Sequence, residues 1–524
     1  MASTENTHRR IAVIGGGLAG LAAAHRLTEL APTTNQPIDI TLFEAGARLG
    51  GLVGTEQIDG YLVDVGADSF LTNKPAAVGL CRRLGIENRL IPTEPRYRGA
   101  LVLHQGRPVP VPDGFQLLSP TAIWPILTSP LFSTWGKLRL LMEWTVPRHA
   151  HAQGQTPSGD QPTALVDESL ADFARRRFGR EAFERLIQPL VGGIYTADPE
   201  RLSLAATMPR FLEMERDYGS LIRAVFAQKA KDRKRQKWTD GQKSDSLESG
   251  ERSMSSGARY GLFAGLEGGM IDLVRALQSQ VESRCQIRLN TRVTFVSTGN
   301  IPHSNDVTAD PGGYRLALDD DSEQNFDSVI VASTAATTAK ILETLDPALS
   351  AELRDIEYAS SALVVTGHRL SDIRHPLDSF GLVIPQIEHR RILAVSFSSR
   401  KFPNRAPEGH VLLRTFVGGA LQPELLKLDD DQLRDLVRDE LRDIFGVGGT
   451  PDFTRVYRYE RAMPQYTLGH LERIARIDQR IQQRPGLELA GIAYHGVGVP
   501  DVIANAEHAA ESLISKRSPR ARAH

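Results

Sequence analysis

Gly15, Gly17 and Gly20 stand at the spacing G-x-G-x-x-G, and a carboxylate, Glu44, follows 24 residues after the last of them. Three glycines so placed can do one kind of chemistry together. The first allows a tight turn, the second lets backbone approach a pyrophosphate, and the third lets a helix pack closely on a strand. A carboxylate about twenty residues on can accept hydrogen bonds from a ribose. The same stretch continues as Glu44-Ala45-x-x-Arg48-Leu49-Gly50-Gly51, a second glycine pair beside a cation. By contrast, the 14 histidines show no HExxH or close ligand spacing, so no metal site is expected. Cys81 and Cys285 lie 204 residues apart and supply neither a disulfide framework nor a thiolate cluster.

The elements that must hold these residues can be read around them. Ile11–Ile14 is a short apolar run fit for a buried strand, 18–30 is an Ala/Leu-rich helix opening at the turn Gly15–Gly20, and 38–43 is a second strand. Two parallel strands joined by a helix form a right-handed βαβ unit, which places Gly16, Leu18 and Ala19 at the helix N-terminus, facing an anion. Further on, Gly268-Gly269 leads into a helix at 270–282, strands are expected at 287–297, 313–318 and 326–333 with the acidic turn Asp319–Glu323 between the last two, 359–419 reads as several β segments, and 429–445 has helical periodicity.

Composition bounds the class. The chain has 524 residues, 41% hydrophobic and 24% charged, enough for an ordinary core. The sum of 62 Lys+Arg and 63 Asp+Glu is −1, which offers no field to a phosphate backbone, and nucleic acid is not an expected partner. The first ten residues lack an apolar signal region, so the chain is expected to be cytoplasmic. From Phe115 to Gly136 no residue is charged over 22 positions, yet Pro120, Pro125 and Pro130 would break a spanning helix. Short helices resting on the inner face of a membrane are expected there, with an irregular apolar cap as the plain alternative. The polar stretches 150–163 and 228–258 are expected to be exposed loops.

The segments around the fingerprint resemble the large flavoprotein family that contains amine oxidases, phytoene desaturases and protoporphyrinogen oxidases. Tyr61-Leu62-Val63-Asp64-Val65-Gly66-Ala67-Asp68-Ser69-Phe70 is similar to the family's segment beneath the flavin, and 489–501, with Ile492, Val497, Gly498 and Val499, is similar to its closing loop. The resemblance implies non-covalent FAD held by Gly15, Gly16, Gly17, Leu18, Ala19, Gly20, Glu44, Ala45, Arg48, Gly51, Leu52, Gly66, Ala67, Asp68 and Ser69, with the adenine edge on the backbone of Val293. No cysteine near the closing loop could form a thioether to the flavin.

Four more segments narrow the resemblance. Gln188-Pro189-Leu190-Val191-Gly192-Gly193-Ile194-Tyr195-x-x-Asp198-Pro199, Phe402–Pro407, Thr415–Gly419 and Met463-Pro464-Gln465-Tyr466-Thr467-Leu468-Gly469-His470 as a set resemble the protoporphyrinogen and coproporphyrinogen III oxidases. That implies six-electron oxidation of a porphyrinogen in three flavin turnovers, with dioxygen as acceptor and protoporphyrinogen IX narrowly ahead of coproporphyrinogen III. It also implies that Phe416 stacks on a pyrrole, that Val383 and the Ser396 position sandwich the macrocycle, and that a propionate partner falls near Ala100, for which Arg98 is the candidate. Sheet core and a solvated surface arginine are the plain alternatives. A flavin amine oxidase or desaturase, and a non-catalytic FAD scaffold, remain competing functions; a homodimer is compatible with all of them. The implied fold is α/β (α+β): a Rossmann-like FAD-binding domain (1–92, 259–345 and 478–524), an interwoven mixed-sheet substrate domain (93–114 and 346–477), a helical membrane-facing excursion (115–227) and a disordered loop (228–258).

Overall fold

The computed structural model describes residues 8–34, 36–97, 99–112, 115–116, 119–120, 124–148, 167–241, 262–299 and 313–515. The chain divides into two compact units, one made of 1–93, 256–358 and 472–524 and the other of 94–255 and 359–471.

The first unit is organised on a five-stranded parallel sheet in the spatial order Cys285–Arg288, Ile38–Phe43, Arg9–Ile14, Ser328–Val331 and Leu487–Leu489. A parallel sheet is covered on both faces, and successive side chains of Arg9–Ile14 serve two cores. Ile11 and Val13 belong to one, Ala12 and Ile14 to the other. On the first face the helix Leu18–Leu30 packs on the helix Val499–Ser515, and the buried small residues Ala22, Ala23, Ala506 and Ala510 permit the close approach. On the other lies the antiparallel meander Val293–Thr298, Tyr314–Leu318 and Glu323–Phe326.

Three expected elements are corrected here. The strand expected at 287–297 is two strands, because Asn290 takes a left-handed φ of 50° and ends Cys285–Arg288 before Val293–Thr298 begins. The acidic turn separates Tyr314–Leu318 from Glu323–Phe326, and Ser328–Val331 follows as a strand of the parallel sheet. The boundary expected at 346 moves later, since the helix Pro347–Arg354 packs on Ala335–Leu342 within this unit.

The second unit contains a seven-stranded sheet in the order Phe453–Pro464, Tyr358–Arg369, His410–Gly418, Ala394–Phe397, Gly381–Val383, Leu101–His104 and Arg107–Pro110. Its core face carries Ala362, Val364, Leu382, Val395, Leu413 and Val417 against the helix Asp430–Phe445. That helix presents Leu433, Leu436, Val437, Leu441 and Ile444 at the three- and four-residue spacing of one helical face. A capping box of Asp429 with Gln432 starts it, and Gly446 at φ 66° ends it.

The helical part of this unit is tied by buried charge. Arg177 and Glu143, both fully buried, are paired, and Glu143 also accepts from Ser220 Oγ and Leu221 N. Arg177 also donates to Glu215 and to the carbonyls of Val146 and Gly219, which offsets much of the cost of burying its charge, although its Nε finds no partner among the described residues. The expected set of short helices from Phe115 instead begins with the strand pair Phe115–Gln116 and Ser119–Pro120, after which Trp124–Thr128 and Thr134–Leu141 are helical. The loop expected from residue 228 is a correction too. The helix Leu221–Gly241 runs through the Lys, Arg, Gln and Ala of that stretch, all good helix formers, and the remainder of the expected loop lies outside the described residues.

Candidate cofactor and substrate sites

In the first unit, Gly15 follows the strand Arg9–Ile14 with φ 108°, and a Cβ there would lie 2.5 Å from the Ala332 carbonyl oxygen. Gly20 is tighter, since a Cβ on it would lie 1.8 Å from the carbonyl oxygen of Gly15. Packing requires both. Gly17 is different: a Cβ on it meets nothing nearer than the Cα of Gly51, at 3.9 Å. The space beside Gly17 is open, it lies at the N-terminus of Leu18–Leu30, and no side chain among the described residues caps that helix. The first N–H groups of a helix have no partner within it, so a pyrophosphate finds donors and the positive end of the dipole there. The residues present fit a dinucleotide.

Glu44 is oriented by backbone. Its Oε2 accepts from Gly16 N and its Oε1 from Gly46 N, each at 2.7 Å, and each oxygen keeps a lone pair for a ribose hydroxyl. Ala45 beside it is exposed. Thr291 N donates to the Glu44 carbonyl and Asn290 N to that of Gly46, which brings Val293, the first residue of its strand, close to this carboxylate in the chain path.

Arg48 shapes the second glycine loop. Its guanidinium donates to the carbonyls of Gly51 at 2.8 Å and of Leu49 and Val53 at 3.3 Å. Gly50, which is not among the expected FAD contacts, joins the two loops through a 2.8 Å hydrogen bond from its N–H to the Gly16 carbonyl. Its φ of 102°, with a Cβ site 2.8 Å from the Val53 carbonyl oxygen, excludes any other residue, and its place in the Gly-Gly pair was the available signal. Leu52 is 47% exposed, while its carbonyl oxygen would lie 1.9 Å from a Cβ on Gly66. That contact sets Ala67, Asp68 and Ser69 next to the second loop; Ala67 packs on the core, and Ser69 Oγ donates to Asp68 Oδ1.

At the other end of the chain, Gly491 N donates to Asn505 Oδ1 at 2.9 Å and Ile492 packs on the same core. Val497 and Gly498 then lead into Val499 at the start of the last helix. Cys81 and Cys285 are buried and free, and burial pushes both thiols up to about 12, so neither is a nucleophile. Among the described residues no group of three His, Cys, Asp or Glu could hold a metal ion.

In the second unit, Val383, Ser396 and Phe416 come from three adjacent strands. Val383 is opposite Ala394, Ala394 is opposite Phe416, and Ser396 is opposite Gly381 and Arg414. Opposed residues, and residues two apart, share a face, so all three expected contacts lie on the face away from Asp430–Phe445. Ala394, rather than Ser396, stands between Val383 and Phe416. Arg414, which the sequence reading missed, places its Cζ 5.6 Å from the Phe416 ring centroid. Arg98 lies outside the described residues. The slot at Ala100 precedes Val102 by two residues, and Val102 is opposite Val383 in a parallel pair.

The segment Gln188–Tyr195 lies over this face. Pro189 lacks an N–H and would crowd the carbonyl four residues earlier, and the turn just upstream, Phe183–Ile187, is π-helical. A Cβ on Gly193 would lie 3.5 Å from Val383 Cγ1 and 4.0 Å from Ala394 Cβ, so the glycine lets the helix settle on that row. A cleft beside it is lined by Gln188, Gly192, Thr196, Leu393 and Gly418. Gln188 Oε1 accepts from Gln386 N at 3.0 Å.

The flavin containing amine oxidoreductase family model matches residues 18–514. A coproporphyrinogen III oxidase of Bacillus subtilis (strain 168) is 32% identical over 499 residues, covering 94% of this chain and 96% of that protein. The chloroplastic/mitochondrial protoporphyrinogen oxidase 2 of Arabidopsis thaliana is 28% identical, covering 97% and 94%. A crystal structure of a candidate protoporphyrinogen oxidase from Exiguobacterium sp. 255-15 matches with a TM-score of 0.78 at 28% identity, over 98% of this chain and 100% of that one. With the glycine turn, the Glu44 carboxylate and the segment 489–501 in one unit, the chain belongs to the flavin containing amine oxidoreductase family and is an FAD-dependent oxidoreductase.

Proposed function

We propose that this chain oxidises a porphyrinogen to the porphyrin in haem biosynthesis, with dioxygen as electron acceptor. The observation that carries the proposal is the row Val383, Ala394 and Phe416 on one sheet face, with Gly193 seated against it, in a chain whose relatives are named porphyrinogen oxidases. When bound, FAD supplies the redox chemistry, accepting two electrons in each of three turnovers. The protein binds and orients: Phe416 offers a half-exposed ring to a pyrrole, while Val383 and Ala394 give an apolar floor that excludes water. Arg414, buried beside Phe416, adds positive charge to a face that must accept an anionic macrocycle.

The sequence motifs put protoporphyrinogen IX first. Coproporphyrinogen III is the second reading, favoured by the higher identity to the Bacillus relative of that name, 32% against 28% for the Arabidopsis protein. Comparing kcat/KM for the two porphyrinogens by porphyrin fluorescence decides between them, and a flavin that stays oxidised on anaerobic mixing with both would refute an oxidase of either kind. Arg98→Ala in the same assay tests the propionate partner, with FAD content as the control; a variant as active as wild type on both substrates would discard it.

A peripheral membrane contact completes the proposal. No helix among the described residues is long and apolar enough to cross a membrane. Trp135, at 80% exposure, with Leu138, Met142 and Trp144 also exposed, gives an apolar stripe with the three- and four-residue spacing of a helix face over Trp135–Met142. Liposome flotation of wild type against Trp135→Ser/Trp144→Ser tests it, and equal partition of the two would remove the contact.

A further inference from the structure

Resting on the FAD reading, we propose that Lys74 and Asp501 form a clasp that closes the C-terminal loop over the cofactor, as positioning residues that touch no reacting atom. They lie 427 positions apart, yet Lys74 Nζ is 2.6 and 2.7 Å from the two carboxylate oxygens of Asp501. Lys74 is the extended residue that starts the helix Pro75–Arg83, a few positions after Gly66–Ser69. Asp501 stands in the first turn of Val499–Ser515. The clasp therefore joins the two segments expected to flank the flavin, one from each end of the chain.

The loop is built around that carboxylate. A Cβ on Gly496 would lie 2.6 Å from Asp501 Cβ and 2.7 Å from its Cγ, and one on Gly498 would lie 3.0 Å from its Oδ2. Gly496 also has φ 129°. The two glycines are thus the space that the Asp501 side chain fills, and Gly498 O accepts from Val502 N at 3.0 Å, which fixes the loop to the same helix turn. The Asp501 carboxylate also gains from the positive end of its own helix. Asp501 is 20% exposed and Lys74 50% exposed, so the pair is open to salt, and breaking it frees the loop without opening the core.

An exposed or half-exposed ion pair contributes at most about 1 kcal/mol, which is roughly a five-fold change in an equilibrium constant. Lys74→Gln and Asp501→Asn should each raise the FAD dissociation constant by about that factor and shift the flavin visible absorption and midpoint potential, while Lys74→Arg restores both. High salt should loosen FAD in wild type and do little in Lys74→Gln. If wild type retains FAD and Lys74→Gln retains it equally with an unchanged spectrum, the clasp is refuted and the cofactor reading stands. A lowered unfolding temperature of the apoprotein with unchanged FAD affinity would likewise refute it as a merely structural pair. A wild type unable to bind FAD would remove the cofactor reading itself.

Discussion

Gly20 and Phe416 do opposite work. A single methyl on Gly20 would press on the Gly15 carbonyl at 1.8 Å, so the cofactor unit functions there through what is missing. Phe416, the candidate pyrrole partner, would act through the ring it presents, on a sheet face that exists only once three strands have found their register. The candidate cofactor groove is backbone, made by glycines close together in sequence. The candidate substrate face is side chains, gathered from positions 383 to 416. The first kind of site changes little when its neighbours mutate; the second can be retuned one residue at a time.

The sharpest way to break this comparison lies within the glycines. Gly20→Ala should lose stability and FAD together, because backbone must move; overpacking of this kind costs ~1–3 kcal/mol or more. Gly17→Val, whose Cβ points to open space, should keep the wild-type unfolding transition and purify colourless. Parallel calorimetry and flavin absorbance separate the two, and a yellow Gly17→Val would show that the groove is not the pyrophosphate site. On the sheet, Phe416→Ala should leave FAD content unchanged. Kcat/KM should fall by about 10- to 150-fold, the equivalent of the roughly 1.5–3 kcal/mol for burying a Phe ring. An unaltered rate would return Phe416 to sheet core.

Acid should act on the sheet unit through His368. Burial lowers its pKa from 6.5 to about 4, and its Nε2 has no hydrogen-bond partner among the described residues. The unfolded chain then binds a proton that the folded one refuses between those values. Stability is present in full above pH 6.5 and is lost as pH falls towards about 4, by up to ~3 kcal/mol. His368→Phe should flatten that part of the curve of unfolding temperature against pH; an equally steep loss in the variant would assign the effect elsewhere. The smallest expected effect is Thr196→Gly, which relieves a left-handed φ of 47° at a β-branched residue. A gain of about 0.5–1 kcal/mol in urea unfolding is expected, the strain relieved less the entropy a glycine adds to the unfolded chain.

What could be read from residues alone follows the same division. The helix Leu18–Leu30 and the strand Ile38–Phe43 stand where periodicity puts them, because each is a short local pattern punctuated by glycine or polar residues. The break at Asn290 was hidden, since apolar alternation continues across it and one left-handed residue leaves no mark in composition. The helix Leu221–Gly241 was hidden for the opposite reason, a polar sequence without an apolar stripe but with strong intrinsic helix formers. The shared face of Val383, Ser396 and Phe416 follows from strand register, as does Ala394 standing between two of them. No spacing in the sequence specifies which strands become neighbours.

The interleaving of the units sets a timetable. Arg9 and Ile11–Ile14 emerge early and soon meet Ile38–Phe43, but their other sheet partner, Ser328–Val331, comes some 300 residues later, and Arg9 reaches its backbone acceptor at Leu513 only when the helix Val499–Ser515 exists. At ~5–20 residues per second of synthesis, the first strand waits roughly 25–100 s for that helix. Over that interval the Ala-rich helix Leu18–Leu30 has no Ala506 or Ala510 to lie against, and its apolar face is open to chaperones and to other nascent chains. A ligand that binds only the finished groove stabilises the end product by mass action. Flavin supply during expression should therefore raise the yield of folded protein, by rescuing chains at the step where their two ends meet.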